Sequence, residues 1–254
     1  MYRLLVAYSA VALALLLAPF AALLYYGYGP YFSAGAAFGA DLLRSMALTF
    51  TASASAVLAD FALFTPLAFI LARTRSPLVE ALADVPASVP HPLVGIALAV
   101  LASPQTAVGR ALRALGLSIF DSYLGLITAL AIVSAPVYIR SAQSFFEALP
   151  KAPEQFALSL GAGELKVFWL TLRSSWRQLL SSGLTAMSRA ISEFGSVVII
   201  AYYIAGGPFA YVSPTSVYIW KLFETYYLSA LPATATLFLF SLGLLAVARL
   251  LGRR

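Results

Sequence analysis

The chain has 254 residues, 61% of them hydrophobic and only 10% charged, and its mean hydropathy is +0.90. Soluble domains carry about a quarter charged residues, and no globule of this size hides so much apolar surface from water, so the composition fits lipid as solvent. The net charge is +6, but the basic residues sit at the ends of apolar stretches, a pattern of membrane topology rather than a patch for nucleic acid; with no cysteine the chain offers neither a disulfide framework nor a thiolate metal site, and its one histidine, His91, cannot form a zinc site unaided.

In chain order, six stretches are apolar for the roughly 20 residues a helix needs to cross a bilayer. They are Leu4–Tyr26, Leu42–Ala72, Val79–Ala102, Tyr123–Phe146, Leu179–Ile204 and Ala230–Leu250. Turn formers separate them, as in Gly27-Tyr28-Gly29-Pro30, Ser103-Pro104-Gln105 and Gly206-Gly207-Pro208. The first stretch follows Arg3 and has features of a signal peptide, but its apolar run exceeds a usual signal core and reads as a retained span. The expected fold is an all-α polytopic membrane protein, a single domain over residues 1–254 with six transmembrane helices.

Lysine and arginine set the orientation. With the N-terminus in the cytoplasm, eleven basic residues face inward: Arg3, Arg73, Arg75, Arg140, Lys151, Lys166, Arg173, Arg177, Arg249, Arg253 and Arg254. Four face outward, Arg44, Arg110, Arg113 and Lys221, while Arg189 lies within a span. The asymmetry puts both termini inside. Tyrosines cluster at the outer ends (Tyr25, Tyr26, Tyr202, Tyr203, Tyr226, Tyr227), with Trp169 and Trp176 near the inner side.

The longest inner connection, residues 147–178, predicts two short helices. Pro153 suits a first helical turn, Glu154 suits the positive helix end, and Phe156 and Leu160 followed by Gly161 mark a short amphipathic helix with a glycine stop. A second helix through Val167, Phe168 and Leu172 leads into the fifth stretch. Such a pair reads either as an interfacial helix on lipid headgroups or as a dock for a cytoplasmic partner.

This segment resembles the coupling loop of ABC importer permeases, whose pattern is Glu-Ala-Ala, three residues, Gly, then an apolar stretch ending in Leu-Pro. Gly161 falls on the glycine; Gln155, Phe156 and Ala157 fall on Glu-Ala-Ala, where only Ala157 matches, with Glu154 a carboxylate one position early; Leu172-Arg173 replaces Leu-Pro. Thr65-Pro66-Leu67-Ala68-Phe69-Ile70-Leu71-Ala72-Arg73 is similar to a second-span pattern of the family. So is the proline-rich start of the third stretch, Asp84-Val85-Pro86 through Pro90-His91-Pro92. Glu193-Phe194-Gly195 and the following run to Tyr203 resemble the oxyanion branch, its molybdate/tungstate members most. The resemblance implies a type I permease fold with Glu154, Gln155, Phe156, Ala157, Leu160 and Gly161 at the ATPase-coupling surface. It further implies a homodimer, two cytoplasmic ATPase subunits that hold ATP and Mg, an extracellular solute-binding protein, and no cofactor in this chain.

In the fifth stretch Thr185, Ser188, Ser192 and Ser196 are spaced 3, 4 and 4 and would form one hydroxyl stripe on a continuous helix, either a helix–helix contact or the lining of an anion path. Arg189 and Glu193, four apart, can pair as a structural bridge or as a gate, and Asp60 in the second stretch is a third ionisable group whose partner stays open. Ser188, Arg189, Ser192, Glu193 and Ser196 are thus the expected path and gate residues. No lysine follows glycine in a nucleotide-binding loop, and no carboxylate pair or Ser/His/Asp set supports catalysis, so ATP hydrolysis belongs to a separate chain. Three rivals remain: a permease of the same family for sulfate or another solute, an ion-driven carrier or channel built on Asp60 and Glu193, and, a distant third for want of a catalytic constellation, an intramembrane enzyme.

Overall fold

The computed structural model describes residues 2–74 and 76–252, and helices are the only regular elements among them. Arg75, Arg253 and Arg254, counted above for orientation, lie outside the described residues. Four helices are long and apolar enough to cross a membrane: α1 (Tyr2–Tyr28), α3 (Ala40–Thr74, preceded by the short α2, Ala34–Phe38), α8 (Tyr123–Ala148) and α14 (Tyr227–Gly252). Each runs through an internal proline, Pro19, Pro66, Pro136 and Pro232 respectively. Membrane helices tolerate this where neighbouring helices, Ser and Thr side chains or a local adjustment of the turn satisfy the backbone group that proline frees.

The other two apolar stretches are not single helices. The third is divided into α4 (Pro77–Ala83), α5 (Val85–Ser88) and α6 (His91–Leu101). A residue before proline is pushed out of the helical region, and Val89, before Pro90, is extended at φ −101 and ψ 152. The fifth is divided into α11 (Trp176–Ile191) and the one-turn α12 (Val197–Ile200). Among the described residues the remaining α-helices are α7 (Ala107–Ala114), α9 (Ala152–Ser159), α10 (Glu164–Ser174) and α13 (Thr215–Thr225), with one 3-10 turn at Gly207–Phe209.

The centre of the bundle is the pair α3 and α8, which share the longest contact in the molecule. They run parallel and in step. Ser134 donates to Asp60 (2.6 Å), Thr65 and Tyr138 share a hydroxyl bond (2.5 Å), and Arg73 donates to the carbonyl of Phe146 (2.6 Å), each pair 73 or 74 residues apart. Helix α11 lies against both through small residues: Ser141 bonds Ser182 (2.9 Å), and Gly183 faces Val57. Small side chains let backbones approach where lipid supplies no hydrophobic drive.

Two apolar cores stack along this trio. One gathers Leu48, Ala56, Leu126, Leu130, Ile200 and Ile204; the other gathers Leu71, Tyr138, Ile139, Phe146 and Leu179. Helix α1 packs chiefly on α14, with Phe20 stacked on Phe238 at 5.0 Å, and leaves its long apolar side chains uncovered. An uncovered apolar helix of this length is what a lipid-facing element looks like. For description, the bundle has an α9 end, where α3 and α8 finish, and an α13 end, where they begin.

Candidate functional site

Two joints gather the polar residues. The first is the α11–α12 break. Ser192 closes α11, and Glu193, Phe194, Gly195 and Ser196 form a non-helical link before α12. Serine side chains compete with the helix for backbone groups and Gly195 is a poor helix former; the carboxylate of Glu193 accepts from both the amide (2.9 Å) and the hydroxyl (3.0 Å) of Ser196. Its other oxygen accepts from Arg189 Nη2 at 2.9 Å. Glu193 is 2% exposed, so removing any of these donors would leave a buried charge poorly matched, a loss of order 3–5 kcal/mol for the ion pair.

Helix α6 completes the first joint. The Nε2 of His91 lies 2.6 Å from Arg189 Nη2. A guanidinium only donates, so Nε2 accepts, while Nδ1 faces Glu193 at 3.8 Å. The first turn of α6 rests on Gly195, where an added Cβ would meet Pro92 Cδ at 2.8 Å and His91 Cβ at 3.0 Å. On the other side α13 covers the link. Ser216 donates to the carbonyl of Glu193 (2.7 Å), and the Trp220 ring packs on Phe194, with centroids 5.6 Å apart.

The expected pairing of Arg189 with Glu193 is therefore present, and His91 joins it. The hydroxyl stripe is not, because the helix ends before its last member. Thr185 donates to the carbonyl of Ser181, Ser192 to that of Arg189, and Ser196 to Glu193; Ser188 Oγ is buried without a partner. Asp60 takes no share of Arg189. One of its oxygens accepts from Ser134 and the other is buried without a partner.

The second joint is the α9–α10 elbow. Helix α9 carries Pro153 in its first turn and ends in a double reverse bond, Gly161 N to Leu158 O (2.9 Å) and Ala162 N to Ala157 O (3.0 Å). This stop needs a residue in the left-handed region, and Gly161 has φ +81 with open space around it. Glycine is thus required by backbone conformation and not by crowding.

The residues that the resemblance places at the coupling surface divide by face. Gln155, Phe156 (66%) and Leu160 (72%) are exposed, and Ala157 is half-buried. Glu154 turns inward, where Arg73 at the end of α3 grips it with Nε (2.9 Å) and Nη2 (2.5 Å) while donating its third bond to Phe146 O. The elbow is thereby tied to both α3 and α8.

A further cluster at the α9 end was not legible as a site. Arg140 on α8 bonds Glu80 Oε2 (3.0 Å), Asp84 and Gln143 Oε1 (3.0 Å), and Gln143 bridges Glu80 (3.0 Å) to Glu147 (2.9 Å). It pins α4 and α5 to α8. The available signal was the four-residue spacing of Glu80 and Asp84, beside an arginine that the topology count used only for its charge.

The sequence matches, over residues 64–254, the family described as binding-protein-dependent transport system inner membrane component. It is 35% identical over 214 residues to the molybdate/tungstate transport system permease protein WtpB of Pyrococcus abyssi, covering 82% of this chain and 77% of that protein. It is 34% identical over 221 residues to WtpB of Thermococcus kodakarensis, covering 84% and 79%. It is also 34% identical over 216 residues to the sulfate transport system permease protein CysT of Synechocystis, covering 82% and 74%. A family match over three quarters of the chain, joined to an all-helical apolar bundle, is decisive: this multi-pass membrane protein is a transport subunit and not an enzyme, and it belongs to the inner-membrane components of binding-protein-dependent transport systems.

Proposed function

We propose that this chain is the permease of an ATP-driven importer that carries molybdate or tungstate from an extracellular binding protein to the cytoplasm by alternating access. The similarity to permeases named for molybdate and tungstate, over 82% and 84% of the chain, carries the reading. The match to a sulfate permease favours sulfate as the second reading. The chain acts as one domain and crosses the membrane six times, through α1, α3, the α4–α6 run, α8, the α11–α12 run and α14, with both termini and the α9 end in the cytoplasm. Two copies pair, and each seats one ATPase subunit, which holds ATP and Mg.

The coupling surface is the exposed face of α9, where Gln155, Phe156 and Leu160 meet the ATPase. Glu154 acts behind that face, transmitting its displacement through Arg73 to α3 and α8. An apolar patch this open is what a partner surface would cover. The gate is the α11–α12 break, with Ser188, Arg189, Ser192, Glu193 and Ser196 moving as the two copies rock. A non-helical link at membrane depth is tolerated where protein encloses it or water lines it. The ion-driven carrier loses ground because nothing in a carrier calls for the elbow.

The test is ATP hydrolysis by the reconstituted permease, ATPase and binding protein. Molybdate and tungstate should each stimulate it, and more than sulfate at equal concentration. Stimulation by sulfate alone would move the assignment to the second reading, and stimulation by none of the three would overturn the oxyanion reading.

A further inference from the structure

Among the described residues, the ion pairs of arginine engage Arg73, Arg140 and Arg189, and the other lysine and arginine side chains are exposed, with one exception. Lys221, on α13, is half-buried and has no carboxylate of the described residues within ion-pair distance. Its Nζ donates to Ser213 Oγ at 2.7 Å and stands 3.9 Å from the centroid of the Tyr202 ring. Partial burial holds its ammonium below the ordinary lysine value. Both supports are themselves fixed. The carbonyl of Ser213 accepts from Ser45 on α3 (2.6 Å), and the amide of Tyr202 donates to Asp121 (3.1 Å).

A cation taken partly out of water without a counter-ion is held at a cost. An ammonium has three donors, and Ser213 uses one. The location gives the remaining two a purpose. Trp220, the neighbour of Lys221, bridges Phe194 (5.6 Å) of the α11–α12 link and Tyr202 (6.4 Å), so the ammonium sits on the α13 side of the proposed gate. The bond from Ser216 to Glu193 ties the same helix to the gate carboxylate.

We infer that Lys221 contacts the transported tetrahedral oxyanion on its passage from the binding protein to the α11–α12 break. The inference rests on the oxyanion reading above. A lysine suits the task because it is a point charge on a flexible stem, supported on one side by the face of Tyr202. It offers the anion attraction without the two-pronged clamp of an arginine, and a conduit must bind weakly enough to release. Arg189, by contrast, already holds Glu193 and His91 and is largely neutralised.

The experiment uses the full complex in proteoliposomes and measures tungstate transported per ATP hydrolysed for wild type, Lys221→Gln and Lys221→Arg. A charge-assisted hydrogen bond contributes enough that Lys221→Gln should lower this ratio about tenfold, and Lys221→Arg should recover most of it. An equal ratio in Lys221→Gln would overturn the inference while leaving the oxyanion reading intact. A Lys221→Gln protein that unfolds at lower temperature and is not rescued by arginine would also overturn it, by showing that Lys221 is a structural pin for residues 213–221. A wild-type complex that moves no oxyanion would remove the reading itself, and this inference with it.

Discussion

At the α11–α12 break a carboxylate is buried and the donors of Arg189 and Ser196 close around it, whereas at the α9–α10 elbow Phe156 and Leu160 stand uncovered and the one inward carboxylate, Glu154, is tied to a neighbouring helix end. The first joint is complete within the chain. The second leaves apolar surface for something else to cover. The difference separates two jobs that irregular backbone does in membrane proteins: a hinge satisfies its own polar groups, while a dock leaves part of its surface for a partner to bury. Variants at the break should therefore show themselves in the isolated protein, and variants at the elbow should show themselves when the ATPase is added.

The largest effect is expected at the break. Glu193→Ala leaves Arg189 and the Ser196 amide without their carboxylate, and should destabilise the isolated protein by about 3–5 kcal/mol; thermal unfolding in detergent reads it. An unfolding temperature equal to wild type would mean the carboxylate is not buried as described. Gly161→Glu forces a side chain into the left-handed region, at about 1–2 kcal/mol. It should lower the unfolding temperature slightly yet abolish most ATPase copurification, if the α9 stop fixes the proposed docking face. Equal copurification would remove α9 from the contact.

Phe156→Ala sharpens the contrast further. It should leave the isolated protein's stability unchanged within about 0.5 kcal/mol and weaken ATPase binding about tenfold, as truncating an interface anchor does. The smallest effect belongs to Ser188→Ala. Its hydroxyl is buried without a partner, so unfolding should shift by less than about 0.5 kcal/mol. A larger loss would contradict the absence of a partner for this hydroxyl.

Length and hydropathy made four spans legible to within a few residues, because a lipid-facing helix such as α1 or α14 is apolar on every side. They failed where apolar stretches contain local breakers. Pro86, Pro90 and Pro92 divide the third stretch, and the Ser192–Ser196 link divides the fifth. Hydropathy averages over such signals, although each was visible as residues known to leave the helix. The i, i+4 spacing found the Arg189–Glu193 pair, since its partners still share a turn across the end of α11. The partnership of His91 depended on the α6 chain folding back onto Gly195, and no local spacing carries that. The same holds for Arg73 and Glu154, which are 81 residues apart and meet through the parallel packing of α3 and α8.

The most direct test of the account is ATP-dependent tungstate accumulation in proteoliposomes holding this chain, its ATPase and the binding protein, with wild type and Gly161→Glu inserted at equal density. Wild type should accumulate tungstate only with ATP on the α9 side, and Gly161→Glu should accumulate little. Equal accumulation by the variant, or wild-type accumulation driven by an ion gradient without ATP, would contradict it.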